Sequence, residues 1–168
     1  CKPDVRGQVK VFGKIYDMPR WCQSYGKDYF FSGMVHKSKP LDSIVLRDSP
    51  FLEKAIEYIR EKYSLEKNQV LINWYLNNQN YIGAHSDDES VFDGDSVLCF
   101  NYCKVPRDIL IHDKKKELPN LKHLMRNNTG YEMRGSDFQT KYKHSVPKRK
   151  SNPNVDERRI SLTFRKFK

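Results

Sequence analysis

His85, Asp87 and His144 are the side chains of this 168-residue sequence whose types suit a metal site. Two imidazoles and one carboxylate form the ligand set of a non-haem Fe(II) centre, in which three protein groups take one face and leave positions open. In His85-Ser86-Asp87 the two donors stand two residues apart, and on a strand that spacing puts both on one face. His144, in His144-Ser145-Val146-Pro147, has to arrive from a distant strand. By itself a His-x-Asp pair is weakly specific. The last strand strengthens it: Arg159, Ser161, Thr163 and Arg165 alternate with Ile160, Leu162 and Phe164. Arginines are well suited to carboxylates, because the planar fork donates two parallel hydrogen bonds. That face either turns to solvent or lines an interior holding an organic acid, and spacing alone leaves both open. His36, His112 and His123 lack comparable partners and read as surface or packing residues.

These side chains need a scaffold of strands. One segment has helical spacing: Leu52, Ala55, Ile56, Ile59 and Tyr63, preceded by Ser49 as N-cap and Pro50 at the first helical position. The remainder reads as short strands over 70–75, 82–86, 96–102, 108–112, 131–133 and 160–165, separated by turn residues such as Gly83, Asp93-Gly94 and Asn127–Gly130. One helix followed by many strands predicts an α+β protein built on a double-stranded β-helix, or jelly roll. The stretch from Lys114-Lys115-Lys116 to Asn128 reads as a polar, solvated insertion between strands.

The balance of charge points to a polyanion. The net charge is +10 and the pI about 9.4, while 12% aromatic residues argue against disorder. Nucleic acid is the expected partner. No apolar run approaches the ~20 residues of a membrane span, and no signal peptide is legible. Cys1, Cys22, Cys99 and Cys103 are too few and too irregular for a disulfide scaffold or a zinc knuckle. Cys99 and Cys103 fall on one strand face as buried thiols, and an intracellular, reducing compartment is expected. Pro147-Lys148-Arg149-Lys150 has the composition of a nuclear localisation patch.

In order along the chain, these segments resemble the AlkB family of Fe(II)- and 2-oxoglutarate-dependent nucleic-acid dealkylases. Val11-Phe12-Gly13-Lys14, Pro19-Arg20, Tyr25-Gly26 and Tyr29-Phe30-Phe31-Ser32-Gly33 look like the nucleotide-recognition lid of the branch that repairs double-stranded DNA. Leu71-Ile72-Asn73-Trp74-Tyr75, His85-Ser86-Asp87-Asp88-Glu89, His144-Ser145-Val146-Pro147 and the arginine strand complete the resemblance.

The resemblance implies one dioxygenase domain over 1–168, with a lid at 1–35, a helix after it and a jelly-roll core at 70–168. It implies His85, Asp87 and His144 as ligands of Fe(II), with O2 and 2-oxoglutarate as cosubstrates. Asn73, Tyr75 and Arg159 would hold the far carboxylate, Arg165 the nearer one, and Ser161, where the family often has Asn, would still offer a hydroxyl. A flipped base would stack between Phe31 and His85, with Tyr29, Asp88 and Glu89 at its edge. Phe12 would enter the duplex as a wedge, with Gly13, Lys14 and Arg20 nearby at the DNA. The implied activity is oxidative removal of methyl groups from bases such as 1-methyladenine and 3-methylcytosine in DNA, releasing formaldehyde, by a monomer resident in the nucleus if the source is eukaryotic. An RNA or single-strand demethylase of the same chemistry, and a non-catalytic nucleic-acid-binding domain, are the alternatives.

Overall fold

The alternating C-terminal strand forms the middle of the larger of two sheets. The structure, a computed structural model, describes residues 2–41, 50–63, 68–88, 92–93, 96–135 and 137–168. Thirteen strands and two helices lie among these described residues, numbered in chain order. Two hairpins, β1 (Gln8–Val11) with β2 (Lys14–Asp17) and β4 (Tyr29–Phe31) with β5 (Met34–His36), flank β3 (Trp21–Gly26). Helix α1 (Pro50–Tyr63) precedes β6 (Gln69–Tyr75), β7 (Ile82–His85), β8 (Ser96–Cys103) and β9 (Arg107–Asp113). Then come β10 (Leu121–Met125), β11 (Thr129–Arg134), the one-turn helix α2 (Phe138–Lys141), β12 (Tyr142–Val146) and β13 (Arg159–Arg165).

The major sheet has the order β11-β8-β13-β6-β3 and the minor sheet β10-β9-β12-β7. Every named pairing is antiparallel, and the two sheets give the expected jelly-roll arrangement. Period-2 alternation decides which residues meet. Val70, Ile72, Leu98, Leu162 and Phe164 face outward onto Ile56 and Ile59 of α1. Each such apolar side chain contributes roughly 1.5–3 kcal/mol on burial, as an upper estimate. On the opposite face Tyr75 packs with Ile109, Met125 and Val146 between the sheets. The polar residues of β13 therefore turn inward: Arg159, Ser161 and Arg165 are all buried.

Residues 114–128 depart from the expected solvated insertion. Leu121–Met125 is a strand paired with β9 from Leu121 opposite Ile111 to Met125 opposite Arg107. Four of its five residues are exposed, so the edge strand lacks the hydrophobic alternation that would mark it. The Ser49 cap expectation falls outside the described residues.

Candidate active site

The register brings the three metal-ligand candidates together. His144 on β12 stands directly opposite His85 on β7, and Asp87 follows two residues after His85. Their ligand atoms all lie within 4.8 Å of one another. An Asp87 carboxylate oxygen is 3.9 Å from His85 Nε2 and the other is 3.8 Å from His144 Nε2. These separations are shorter than two metal–ligand bonds of about 2.1 Å laid end to end. His85 Nδ1 lies 2.9 Å from the Gly83 carbonyl; a proton there would leave Nε2 as the lone-pair donor.

The protonation states suit a cation. Burial and then the neighbouring His144 push His85 down to about 3, so its imidazole is neutral. Burial likewise lowers His144, against the pull of Asp87. Burial alone would raise Asp87, but Arg165, then the two histidines and Arg20, hold it below the usual carboxylate range. Asp87 Oδ2 and His144 Nδ1 are buried without a hydrogen bond among the described residues. Two neutral imidazoles, an ionised carboxylate and an orphaned carboxylate oxygen make a donor set that fits a divalent iron.

Next to this triad the cosubstrate candidates line one narrow cavity of about 40 Å³, with Asn73, Tyr75, Arg159, Ser161 and Arg165 in its wall. Tyr75 is opposite Arg159 and Asn73 opposite Ser161 in the β6–β13 ladder. The Arg159 guanidinium lies 4.7 Å from the Tyr75 ring centre and donates through Nε to Asn101 Oδ1. Its Nη1 is buried without a partner among the described residues. Arg165 reaches Asp87 at 3.3 Å and so fills the space nearest the triad.

A wider cleft of about 620 Å³ lies on the other side of His85. Val9, Val11, Arg20, Phe31, Gly83, Asp88 and Lys143 are among the residues that line it. Phe31 and His85 are not parallel plates here: their centroids are 5.7 Å apart at 80°, edge to face. Asp88 is exposed and paired with Lys114 at 3.5 Å, and Glu89 falls outside the described residues. Tyr29 is buried, stacked on His36 at 4.8 Å with Arg165 over its ring at 5.4 Å, and does not line the cleft. A separate cavity of about 470 Å³ beside Trp74, Tyr102 and Ile160 holds none of the triad.

At the mouth, Phe12 is fully exposed at the tip of the β1–β2 hairpin. Phe12 and Gly13 have φ of 48° and 78°, the left-handed pair of a two-residue hairpin turn. Glycine accepts that region freely, but a bulky side chain does not, so Phe12 sits there at a local cost. Gly13 and Lys14 are exposed beside it. Arg20 differs from its expected place at the DNA surface. It is 4% exposed and donates through Nε to Asn73 Oδ1 at 2.7 Å, because it lies on the face of the β3 segment that looks into the site.

Several positioning residues escaped the motifs. Gln139, buried on α2, accepts the Asp87 backbone N–H at 2.9 Å, and Lys114 donates to the Gln139 carbonyl at 2.7 Å. The buried Arg107 donates to the carbonyls of Asn77, Asn78, Asn80 and Pro147. Glu157 gathers the same region. It accepts from Ser151 Oγ, from the Asn78 backbone and side chain, and from the Asn152 backbone, at 2.6–3.0 Å. Ser151 first, then the other donors, lower its carboxyl from 4.5 to about 2. A lowered carboxyl stabilises fully above its unfolded value of about 4.5 and loses that contribution as pH falls toward 2. Glu157→Gln is therefore expected to melt at a lower temperature than the parent at neutral pH. The gap should narrow below pH 4.5 in thermal melts. A gap independent of pH would show that the charge of Glu157 is irrelevant.

Comparison with known proteins agrees with this geometry. Residues 13–165 match the model of the 2OG-Fe(II) oxygenase superfamily. The DNA oxidative demethylase ALKBH2 of Bos taurus is 31% identical over 95% of this chain and 57% of its own length. The Homo sapiens protein of that name is 30% identical over 95% of the chain and 61% of its length. The chain thus spans about three-fifths of these relatives. Among solved structures, OsALKBH1 aligns over 99% of this chain and 84% of its own with a TM-score of 0.57 and 14% identity. A 2OG-Fe(II) oxygenase family oxidoreductase from Burkholderia pseudomallei aligns over 98% and 72%, with the same TM-score and identity. At that identity the two structures speak for the fold. The matched family implies Fe(II), 2-oxoglutarate and O2, and the triad beside two inward arginines fits that set. The chain belongs to the 2OG-Fe(II) oxygenase superfamily.

Proposed function

We propose that this chain is a dioxygenase that oxidatively demethylates N-alkylated bases in DNA, with duplex DNA as its preferred substrate. The observation that carries the reading is the cleft that runs from the exposed β1–β2 hairpin to the ring of His85. The net charge of +10 suits a polyanionic substrate, and the ALKBH2 relatives are named for DNA demethylation.

Iron, 2-oxoglutarate and O2 together supply the oxidation of the methyl carbon when bound. The chain's own residues then do the positioning. His85, Asp87 and His144 hold the metal with one negative charge between them. Asn73, Tyr75, Ser161 and Arg159 receive one carboxylate of the organic acid, and Arg165 turns from Asp87 to receive the other. On the cleft side Phe31 has to lift from the edge of His85 for a base to stack between the two rings. Asp88, which lines the cleft, favours a base made cationic by methylation, the same role is proposed for Glu89 from the resemblance alone, and Tyr29 backs the pocket from behind Arg165. Residues 1–35 form the lid and 70–168 the catalytic core. All named site residues belong to this one chain, and a monomer is the proposed acting unit. Its thiols, free among the described residues, suit a reducing intracellular compartment, the nucleus in a eukaryote. No helix among the described residues is long and apolar enough to cross a membrane.

Phe12 tests the duplex preference. Extruding a base costs a few kcal/mol only where it is paired and stacked, and an aromatic wedge offsets that loss. Phe12→Ala should lower turnover of a methylated duplex by about ten-fold or more, some 1.4 kcal/mol. The same lesion in a single strand should be processed nearly as before. Because Phe12 is fully exposed, melting should not fall. Equal losses on both substrates would show that the hairpin does not act by opening the stack.

A further inference from the structure

We infer that Arg20 is a positioning residue of the cosubstrate site, holding the side-chain amide of Asn73 so that its N–H groups are turned to the organic acid. The inference rests on the reading of Asn73 as a ligand of 2-oxoglutarate.

The register explains why these two residues meet. Cys22 is opposite Asn73 in the β3–β6 pairing, and Arg20, two residues earlier, falls on the same inward face. Its guanidinium is 4% exposed, yet no carboxylate among the described residues forms an ion pair with it. Burying a cation with no counter-ion in direct contact is expensive, so an anion that arrives later is a natural complement. Arg20 nevertheless lines the base cleft, whereas Asn73 lines the cosubstrate cavity. The bond between them is a hydrogen bond that crosses from one space to the other.

An asparagine amide has an acceptor end and a donor end, and which end faces a ligand decides the sign of the contact. Arg20 carries only donors, so its 2.7 Å bond from Nε has to be to Oδ1. The donor end, Nδ2, makes no hydrogen bond with the described residues and is left for the cavity that Arg159 and Ser161 share. A carboxylate arriving there meets N–H groups. Without Arg20 the amide is free to turn over, and its oxygen then repels the same carboxylate. Arg20 also belongs to the segment between the β1–β2 hairpin and β3, so the order of that segment bears on cosubstrate affinity.

The test is a double-mutant cycle read by calorimetric binding of 2-oxoglutarate to protein loaded with Mn(II) in place of iron, so that no turnover is involved. Arg20→Met should weaken binding about ten-fold in the parent and have no further effect in an Asn73→Ala background. Should Arg20→Met fail to melt cooperatively, Arg20→Lys replaces it; a lysine lacks the fixed Nε donor, and a smaller loss, again seen only with Asn73 present, is expected. Unchanged affinity in the Arg20 variant overturns the inference. So does an equal loss in both backgrounds, which would make Arg20 a general source of positive field. Asn73→Ala with unchanged affinity would instead overturn the assignment of Asn73 as a ligand.

Discussion

His144→Ala and Asp87→Asn should each lower Fe(II)-dependent turnover by about a thousand-fold or more, some 4 kcal/mol of barrier. Either change leaves two strong protein ligands, and a site of two ligands holds iron weakly and fixes no geometry for the open positions. Asp87→Asn is the sharper variant. It keeps the shape of the side chain and the bond from the Asp87 backbone to Gln139, while removing the only negative charge of the triad. It also leaves Arg165 facing an amide at 3.3 Å, so thermal melts should accompany the assay. Iron affinity should fall in parallel with turnover. Retained affinity and turnover in either variant would remove that residue from the metal site.

The second large effect is expected at the arginines. Arg159→Lys and Arg165→Lys each keep a positive charge but lose the planar fork. Arg159 also uses Nε on Asn101, so a lysine there cannot both anchor and bind. The concentration of 2-oxoglutarate for half-maximal rate should rise about ten-fold for Arg159→Lys, and more for Arg165→Lys, whose guanidinium has to leave Asp87 and re-form on the acid. Affinity for a DNA duplex should stay near the parent's, because both residues are buried away from the surface. Equal weakening of DNA and 2-oxoglutarate binding would point to a disturbed fold rather than a lost ligand.

Much of this site was legible because strand periodicity is strict. Once 159–165 alternates, Arg159, Ser161, Thr163 and Arg165 share a face, and burial of the opposite face on α1 sends them inward. The His85–Asp87 spacing works by the same rule. The same alternation would also have placed Asn101 with Cys99 and Cys103 on the inner face of β8, where it now anchors Arg159. What sequence could not supply was the pairing of distant strands. That His144 faces His85, and that Gln139 meets the Asp87 backbone, are long-range facts with no local signal. Arg20 was placed at the DNA by the resemblance alone, and its burial with a bond to Asn73, 53 residues away, is likewise a long-range fact. Edge strand β10 went unseen because its exposed Leu-Lys-His-Leu segment has no buried face to pattern. The paired rings expected around a flipped base are both present, but they meet edge to face, with centroids 5.7 Å apart, rather than as separated parallel plates.

The most direct test of the account is a panel of oligonucleotides bearing 1-methyladenine or 3-methylcytosine, in single- and double-stranded DNA and RNA, incubated with protein, Fe(II), 2-oxoglutarate and O2 and read by mass. The account predicts loss of the methyl group, fastest in duplex DNA, with formaldehyde and succinate formed in equal amounts and no change when 2-oxoglutarate is omitted. Unaltered masses across the whole panel, from protein shown to bind both iron and 2-oxoglutarate, would contradict it.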